Sequence, residues 1–282
     1  MHREKIGLIA GAGDLPVLLA QHCCDGAIPL HVSRINGMSD PRLKNYPGSD
    51  CALASFGARM KALKADHVNK IVFAGLVSRP DFQSLIPDAR GALALPRIMK
   101  EMGKGDDALL RAVLGEFERD GFQIIGADDL LTDLLAPTGL IVGATLSQSQ
   151  QIDMEIGLRV TEQMGLLDIG QGAIVCDGLV LAVEAQEGTD RMLARVAELS
   201  TDIRGTLKNR RGVLVKRAKP QQERRVDLPT IGLRTIEGAA KAGLVGVVVE
   251  AGGALIIDKP SVISACREMG IFLLGVQVAS KS

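Results

Sequence analysis

The chain has 282 residues, which is enough for one large domain or two ordinary ones. Its 33 Lys and Arg residues balance its 33 Asp and Glu residues, so a general nucleic-acid-binding protein, which would carry a basic excess, is not expected. Aromatic residues make up 2% of the chain and Trp is absent, which argues against base-stacking platforms for single-stranded nucleic acid.

The Cys and His residues restrict the kind of metal site that the sequence predicts. The five Cys residues lack metal-type spacing, and the four His residues form no HxxxH pair, so reduced cytoplasmic thiols are expected and a zinc site is not. No GxSxG motif marks a hydrolase nucleophile, and no apolar run approaches the roughly 18 residues of a membrane span. Any metal would be held by carboxylates, which indicates Mg²⁺ or Mn²⁺.

The first half of the chain alternates short apolar runs with longer periodic stretches, which is typical of an α/β domain. We predict strands at 6–10, 28–32, 71–76 and 122–126, and helices at 15–24, 56–65, 92–102 and 107–120. Residues 1–135 are therefore interpreted as an N-terminal, Rossmann-like α/β lobe.

A glycine-containing turn follows the first predicted strand and opens the first predicted helix. Free N–H groups at such a junction can bind phosphate, so five residues are candidate ligands: Gly11, Ala12, Gly13, Asp14 and Leu15. The dinucleotide fingerprint is incomplete, because Pro16 stands where a third small residue is expected and no acid ends the second strand. A structural tight turn and an NAD(P) site stay open as alternatives.

Two further segments of the first half carry candidate binding residues. Arg79 follows a buried-looking strand, where ligands of open α/β sheets collect, although a surface ion pair is an equal alternative. Lys104, Asp106 and Asp107 open a long amphipathic helix, where the acids either cap the helix or contact a ligand.

The composition shifts in the middle of the chain, at 135–139, and a polar run follows at 147–151. We therefore expect a linker at 136–151 and a second domain at 152–282. In that second half, Asp177-Gly178 indicates a hairpin, and Gly252-Gly253 lies between two further strand-like runs. A C-terminal α/β lobe with a mixed sheet is predicted.

The second half carries the densest candidate chemistry. Gly188, Thr189 and Asp190 lie between a predicted strand and a predicted helix, where they suit a helix cap or a ligand loop. Further along, Glu223 and Asp227 are four residues apart, so they share one side of a helix or of a strand. Paired acids can hold a divalent cation, and the nearby Lys216 and Lys219 can hold phosphate oxygens. A solvated charged hairpin is the alternative.

Seven segments occur in an order that resembles the LpxI-type UDP-2,3-diacylglucosamine pyrophosphatases of lipid A biosynthesis: IGLIAGAGDLP, FAGLVSRP, GKGDDALLR, LDIGQGAIV, LAVEAQEGTDRML, GVLVKRAKPQQERRVDLPTIG and GLVGVVVEAGGALIID. The most specific parts are EGTD and KPxQxxRxDLPTIG. The family's frequent Gln-Asp pair is Gln222-Glu223 here, which lengthens the acid by one methylene.

The resemblance implies Mg²⁺-dependent hydrolysis of UDP-2,3-diacylglucosamine to UMP and 2,3-diacylglucosamine 1-phosphate (lipid X), with water attacking the phosphorus on the sugar side. It implies two domains with the ligand between them, a homodimer, and a cytoplasmic enzyme in peripheral contact with the inner face of the inner membrane. Asp227 is the expected essential carboxylate, with Glu223 as its helper. An NAD(P)-dependent oxidoreductase and a non-catalytic nucleotide- or lipid-binding protein are the alternatives.

Overall fold

The computed structural model describes residues 4–78, 81–82 and 84–278. The chain forms two compact units, Met1–Thr132 and Asp133–Ser282. The α/β class is confirmed, as is the combination of a Rossmann-like first unit with a mixed-sheet second unit. Among the described residues, no helix combines the length and the apolar character needed to cross a membrane.

The first unit is built on a parallel sheet with the order β3-β2-β1-β4-β5. Its strands are β1 (Lys5–Ala10), β2 (Leu30–Ile35), β3 (Gly48–Cys51), β4 (Val68–Ala74) and β5 (Gln123–Ile125). Its helices are α1 (Asp14–Asp25), α2 (Phe56–Ala65), α3 (Ala89–Glu101), α4 (Asp106–Arg119) and α5 (Ala127–Leu130). The strand order reverses between β1 and β4, and ligands of open α/β sheets bind beyond the carboxyl ends of the strands at such a point.

The second unit has a six-stranded mixed sheet with the order β6-β13-β11-β9-β7-β8. Its strands are β6 (Gly139–Val142), β7 (Gly172–Cys176), β8 (Leu179–Val183), β9 (Val213–Lys216), β11 (Gly246–Glu250) and β13 (Phe272–Val276). The pairings make β8, β9, β11 and β13 run in one direction and β6 and β7 in the other. A separate two-stranded sheet pairs β10 (Thr230–Ile231) with β12 (Leu255–Ile256).

The predicted hairpin at Asp177-Gly178 is confirmed, because it joins the antiparallel strands β7 and β8. Both turn residues have positive φ, 49° for Asp177 and 80° for Gly178, as the favoured two-residue hairpin turn requires. The turn at Gly252-Gly253 follows β11 and precedes β12, but those two strands lie in different sheets.

Helices cover both faces of the second sheet: α6 (Gln148–Leu166), α7 (Gly188–Ala197), α8 (Leu233–Lys241) and α9 (Lys259–Met269). Side chains alternate across the sheet, so neighbouring residues of one strand serve different cores. Leu214 packs in the larger core with the buried residues of α7, α8 and α9. Val213 and Val215 point the other way and pack with Met154 and Leu158 of α6.

The stretch expected to be a linker, residues 136–151, folds as part of the second unit. It contains β6, which pairs with β13, and the first residues of α6. Its polar run has a local explanation: Ser147 Oγ accepts from Gln150 N–H and Gln150 Oε1 accepts from Ser147 N–H, at 3.4 and 2.9 Å. This capping box starts α6, so the polar residues mark a helix N-terminus.

Candidate active site

Three buried charged residues lie at one edge of the second unit's sheet. Glu184 follows β8, Lys216 ends β9 and Glu250 ends β11, with exposures of 6%, 3% and 3%. Because these strands run in the same direction, their carboxyl ends lie at the same edge. Burying a charge is costly unless it is paired and hydrogen-bonded, so this edge is specialised for charge.

A chain of hydrogen bonds fixes the Lys216 ammonium. Lys216 Nζ donates to Thr189 Oγ1 at 2.7 Å and to the carbonyl oxygen of Thr230 at 3.2 Å. Thr189 Oγ1 in turn donates to Glu184 Oε1 at 3.0 Å. Glu184 Oε2 is buried, has no hydrogen-bond partner within the part of the chain that the structure describes, and lies 3.9 Å from Lys216 Nζ. The ammonium is therefore held by α7, by β10 and by Glu184 directly after β8.

The electrostatics of Lys216 connect it to two candidate acids. Burial lowers the pKa of the Lys216 ammonium, and the carboxylates of Glu184, Asp190 and Asp227 act in the opposite direction by favouring its charged form. Asp190 and Asp227 thus lie within electrostatic range of Lys216. The structure brings together two segments that the sequence singled out separately, one with Thr189 and Asp190 and the other with Lys216 and Asp227.

Asp227 lies in the loop between β9 and β10 and is exposed. Its Oδ2 accepts a hydrogen bond of 2.6 Å from Nε2 of Gln222, which is buried. The Asp227 N–H donates to the carbonyl oxygen of Glu223 at 3.1 Å, which closes a turn. A carboxylate that is exposed but hydrogen-bonded to a buried polar side chain can contact a ligand while its own position stays fixed.

Glu223 occupies a different environment from the one expected of a partner of Asp227. Its Oε1 and Oε2 accept from Nε and Nη2 of Arg225, each at 2.9 Å, in a bidentate ion pair. Lys219, another candidate phosphate ligand, donates from Nζ to Asp168 Oδ1 at 2.6 Å. The side chain that hydrogen-bonds the Asp227 carboxylate is Gln222, which the sequence analysis did not select.

Glu250 anchors the start of the same loop. Its Oε2 accepts from the Ala218 N–H at 3.1 Å, and its Oε1 accepts from Arg224 Nη2 at 2.8 Å. One buried carboxylate at the end of β11 thereby ties two points of the loop to the sheet. The sequence signal for Glu250, and equally for Glu184, is an acid directly after an apolar strand.

The donor set decides what kind of metal site the second unit can offer. Across residues 4–78, 81–82 and 84–278, no group of three or more His, Cys, Asp or Glu side chains is arranged to hold a metal ion. Mg²⁺, however, usually keeps several waters and uses one or two carboxylates together with substrate phosphates. Exposed Asp227 fits that kind of shared site, whereas Glu223 would first have to leave Arg225.

The glycine turn of the first unit is closely packed against the segment after β4. Ala12 and Leu76 exchange backbone hydrogen bonds of 2.8 and 2.9 Å, and the Gly11 N–H donates to the Ala74 carbonyl oxygen at 2.8 Å. A Cβ on Gly11 would lie 2.5 Å from the Leu76 carbonyl oxygen, so the close approach of two backbones requires glycine there. Phosphate binding by segment 11–15 stays a prediction.

Charged side chains surround the same turn. Asp14 Oδ1 accepts from Arg42 Nη2 at 2.7 Å, and Asp40 accepts from the guanidinium and the backbone N–H of Arg42. These hydrogen bonds, that of the Arg42 guanidinium first, lower the pKa of Asp40 to about 2. Asp14, one of the candidate phosphate ligands, is therefore already paired with a guanidinium.

The other candidates of the first unit take part in local helix contacts or lie outside the described residues. Lys104 pairs with Glu101 at 2.8 Å, and Asp107 pairs with Arg111 at 2.7 Å. Asp106 is the first residue of α4. Arg79 lies outside the described residues. Binding of a ligand by Lys104, Asp106 or Asp107 stays a prediction.

Comparisons with known proteins cover nearly the whole chain. A model of the LpxI N-terminal domain matches residues 5–134, and a model of the LpxI C-terminal domain matches residues 137–274. The chain is 52% identical over 273 residues to the protein of Caulobacter vibrioides named UDP-2,3-diacylglucosamine pyrophosphatase LpxI, which spans 97% of this chain and 98% of that relative. The resemblance stated from the sequence motifs is confirmed.

Proposed function

This chain belongs to the LpxI family, and we propose that it hydrolyses the pyrophosphate of UDP-2,3-diacylglucosamine in lipid A biosynthesis. The products would be UMP and 2,3-diacylglucosamine 1-phosphate. The observation that carries the proposal is the 52% identity, over nearly the full length of both chains, to a relative that is named for this activity. The site in the second unit supplies groups that suit such a reaction.

We assign the charge-binding role to Lys216. Its ammonium is buried and held by Thr189 and Thr230, so it needs little reorganisation when a phosphate approaches. Fixed charges aimed at a position where negative charge develops are among the largest contributions to catalysis. Thr189 and Glu184 maintain the ammonium in place, and the turn Gly188, Thr189 and Asp190 lies beside the phosphates in this proposal.

We assign the chemical step to Asp227. Its exposed carboxylate would orient the attacking water or hold the metal ion. The water oxygen forms a bond to the phosphorus on the sugar side, and the bond from that phosphorus to the bridging oxygen breaks. The bridging oxygen and its electron pair leave with UMP, and the water protons pass to solvent and phosphate.

The proposed cofactor is Mg²⁺, with Mn²⁺ as a substitute, held by Asp227 together with substrate phosphates. Such an ion supplies neutralisation of the charge that builds on the phosphoryl oxygens. Glu223 is a second ligand in this proposal only if Arg225 releases it. A homodimer, a cytoplasmic location and peripheral contact with the inner membrane, where the acylated substrate lies, are further proposals that rest on the family resemblance.

The test is hydrolysis by the purified protein. Incubation with UDP-2,3-diacylglucosamine and Mg²⁺ should release UMP and the 1-phosphate, identified by mass spectrometry, and a chelator in excess should stop the release. In H₂¹⁸O the label should appear in the 1-phosphate. Release of UDP with free sugar, or full turnover in excess chelator, would contradict the proposal.

A further inference from the structure

Gln222 is a buried amide within a loop whose neighbouring residues are largely charged. Its exposure is 6%, whereas Gln221 before it is exposed. Its Nε2 donates to Asp227 Oδ2 at 2.6 Å and lies 3.3 Å from Gln171 Oε1, and its Oε1 accepts from the Lys219 N–H at 2.9 Å. Both ends of the amide are therefore engaged.

These contacts define which way the amide faces. An amide oxygen only accepts and an amide nitrogen only donates. Turned by half a rotation, the Gln222 amide would place its oxygen against the Asp227 carboxylate and its nitrogen against the Lys219 N–H, which are two repulsive pairs. The orientation that presents an N–H to Asp227 is thus imposed by a backbone donor three residues earlier.

We propose that Gln222 is the positioning residue for the Asp227 carboxylate, holding one oxygen so that the other is presented to the reacting groups. This inference rests on the proposed function, in which Asp227 acts on the substrate. The physical need is clear: Asp227 is exposed and lies on a loop, so without a fixed partner its carboxylate would sample several rotamers. Small displacements of a reacting group reduce turnover strongly.

The contacts of Glu223 explain why the neighbouring acid is not the positioning residue. Both of its carboxylate oxygens face the Arg225 guanidinium. A second carboxylate turned toward Asp227 would also repel it, whereas the Gln222 amide donates a hydrogen bond without adding charge. An amide at position 222 therefore stabilises the Asp227 carboxylate, whereas a carboxylate there would repel it.

The first experiment replaces Gln222 by a side chain of similar volume that cannot donate. Gln222→Met should lower kcat by about 10-fold to 100-fold, the range typical when the partner that orients a metal ligand is removed, and should leave KM within about threefold. The matched control is Gln221→Met, the same chemical change at the exposed neighbouring position, which should keep wild-type kcat. A wild-type kcat in Gln222→Met would overturn the proposal.

The second experiment separates positioning from a general structural role. If Gln222 acts through Asp227, adding Gln222→Met to Asp227→Ala should not lower the residual turnover further. A loss that multiplies with that of Asp227→Ala would show that Gln222 acts elsewhere, and would overturn the proposal. Should Gln222→Met fail to fold, Gln171→Met tests the same network, with a smaller loss of kcat expected at unchanged KM.

The proposed function and this inference can fail separately. If the wild-type chain does not hydrolyse UDP-2,3-diacylglucosamine, the proposed function is wrong, and thermal unfolding then tests the network. The shifts in Tm of Gln222→Met and Asp227→Ala should be non-additive in the double variant, because contacting residues are coupled. Additive shifts would contradict the contact itself.

Discussion

The buried ammonium of Lys216 allows a prediction that joins stability to substrate binding. Lys216→Met keeps most of the side-chain volume and removes the charge. Glu184, exposed by 6%, would then be a buried carboxylate without its counterion. Breaking a buried pair by removing one partner costs about 3–5 kcal/mol, so we expect a loss in the free energy of unfolding toward that size.

The same variant should weaken substrate binding. A hydrogen bond to a charged group contributes about 1.5–3 kcal/mol, which corresponds to roughly 10-fold to 100-fold in the apparent substrate constant. Urea unfolding measures the first effect and initial-rate kinetics the second. Lys208→Met, at an exposed position of the same unit, is the matched control and should change neither.

A second substitution separates the two effects of Lys216→Met. Adding Glu184→Gln removes the unpaired carboxylate, so the double variant Lys216→Met/Glu184→Gln should recover much of the lost stability while substrate binding stays weak. The reasoning would be refuted by a Lys216→Met protein with wild-type unfolding free energy and a wild-type apparent substrate constant. It would also be refuted if the double variant were less stable than Lys216→Met.

Two more predictions follow from the structure. Gly11→Ala would place a Cβ 2.5 Å from the Leu76 carbonyl oxygen, so the free energy of unfolding should fall by about 1–3 kcal/mol. Gly103→Ala, whose Cβ would contact nothing within 4 Å, is the control and should leave the stability unchanged. Equal stabilities of the two variants in urea titration would contradict this prediction. Since the pKa of Lys216 is lower in the folded chain, the unfolded chain binds more protons between that pKa and about 10.4. The wild type should therefore gain stability relative to Lys216→Met as pH rises through this window, and a relative loss in urea unfolding over the same window would contradict it.

The grouping of Thr189, Lys216 and Asp227 was accessible from the sequence for a physical reason. Thr189 lies at the start of the helix after β8 and Lys216 ends β9, both next to apolar runs that the pattern identifies as strands, and Asp227 lies in the loop after β9. Strands of one direction bring their carboxyl ends to one edge, so motifs far apart in the chain meet there. The sequence pattern predicts where the strands end, and the common direction of the strands then predicts that the residues at those ends lie close together.

The roles of Gln222 and Glu223 were not accessible in the same way. Glu223 and Asp227 have a spacing that suits a helix or a strand, but the segment forms turns, in which Glu223 faces Arg225. Nothing in the pattern separates buried Gln222 from exposed Gln221, because their difference arises from the path of the loop. Likewise, β3 (Gly48–Cys51) has no apolar run, and its strand form results from pairing with β2.

The most direct test of the account compares the turnover of Asp227→Asn and Asp227→Ala with that of wild type on UDP-2,3-diacylglucosamine with Mg²⁺. Asp227→Asn keeps the size and an acceptor for Gln222 but loses the charge, and both variants should lose about 10²-fold to 10⁴-fold in kcat. Substrate binding, measured by calorimetry, should survive, and Asp202→Asn at an exposed position should have wild-type turnover. If Asp227→Asn and Asp227→Ala folded and kept more than about a tenth of wild-type kcat, the assignment of Asp227 to the chemical step would be contradicted.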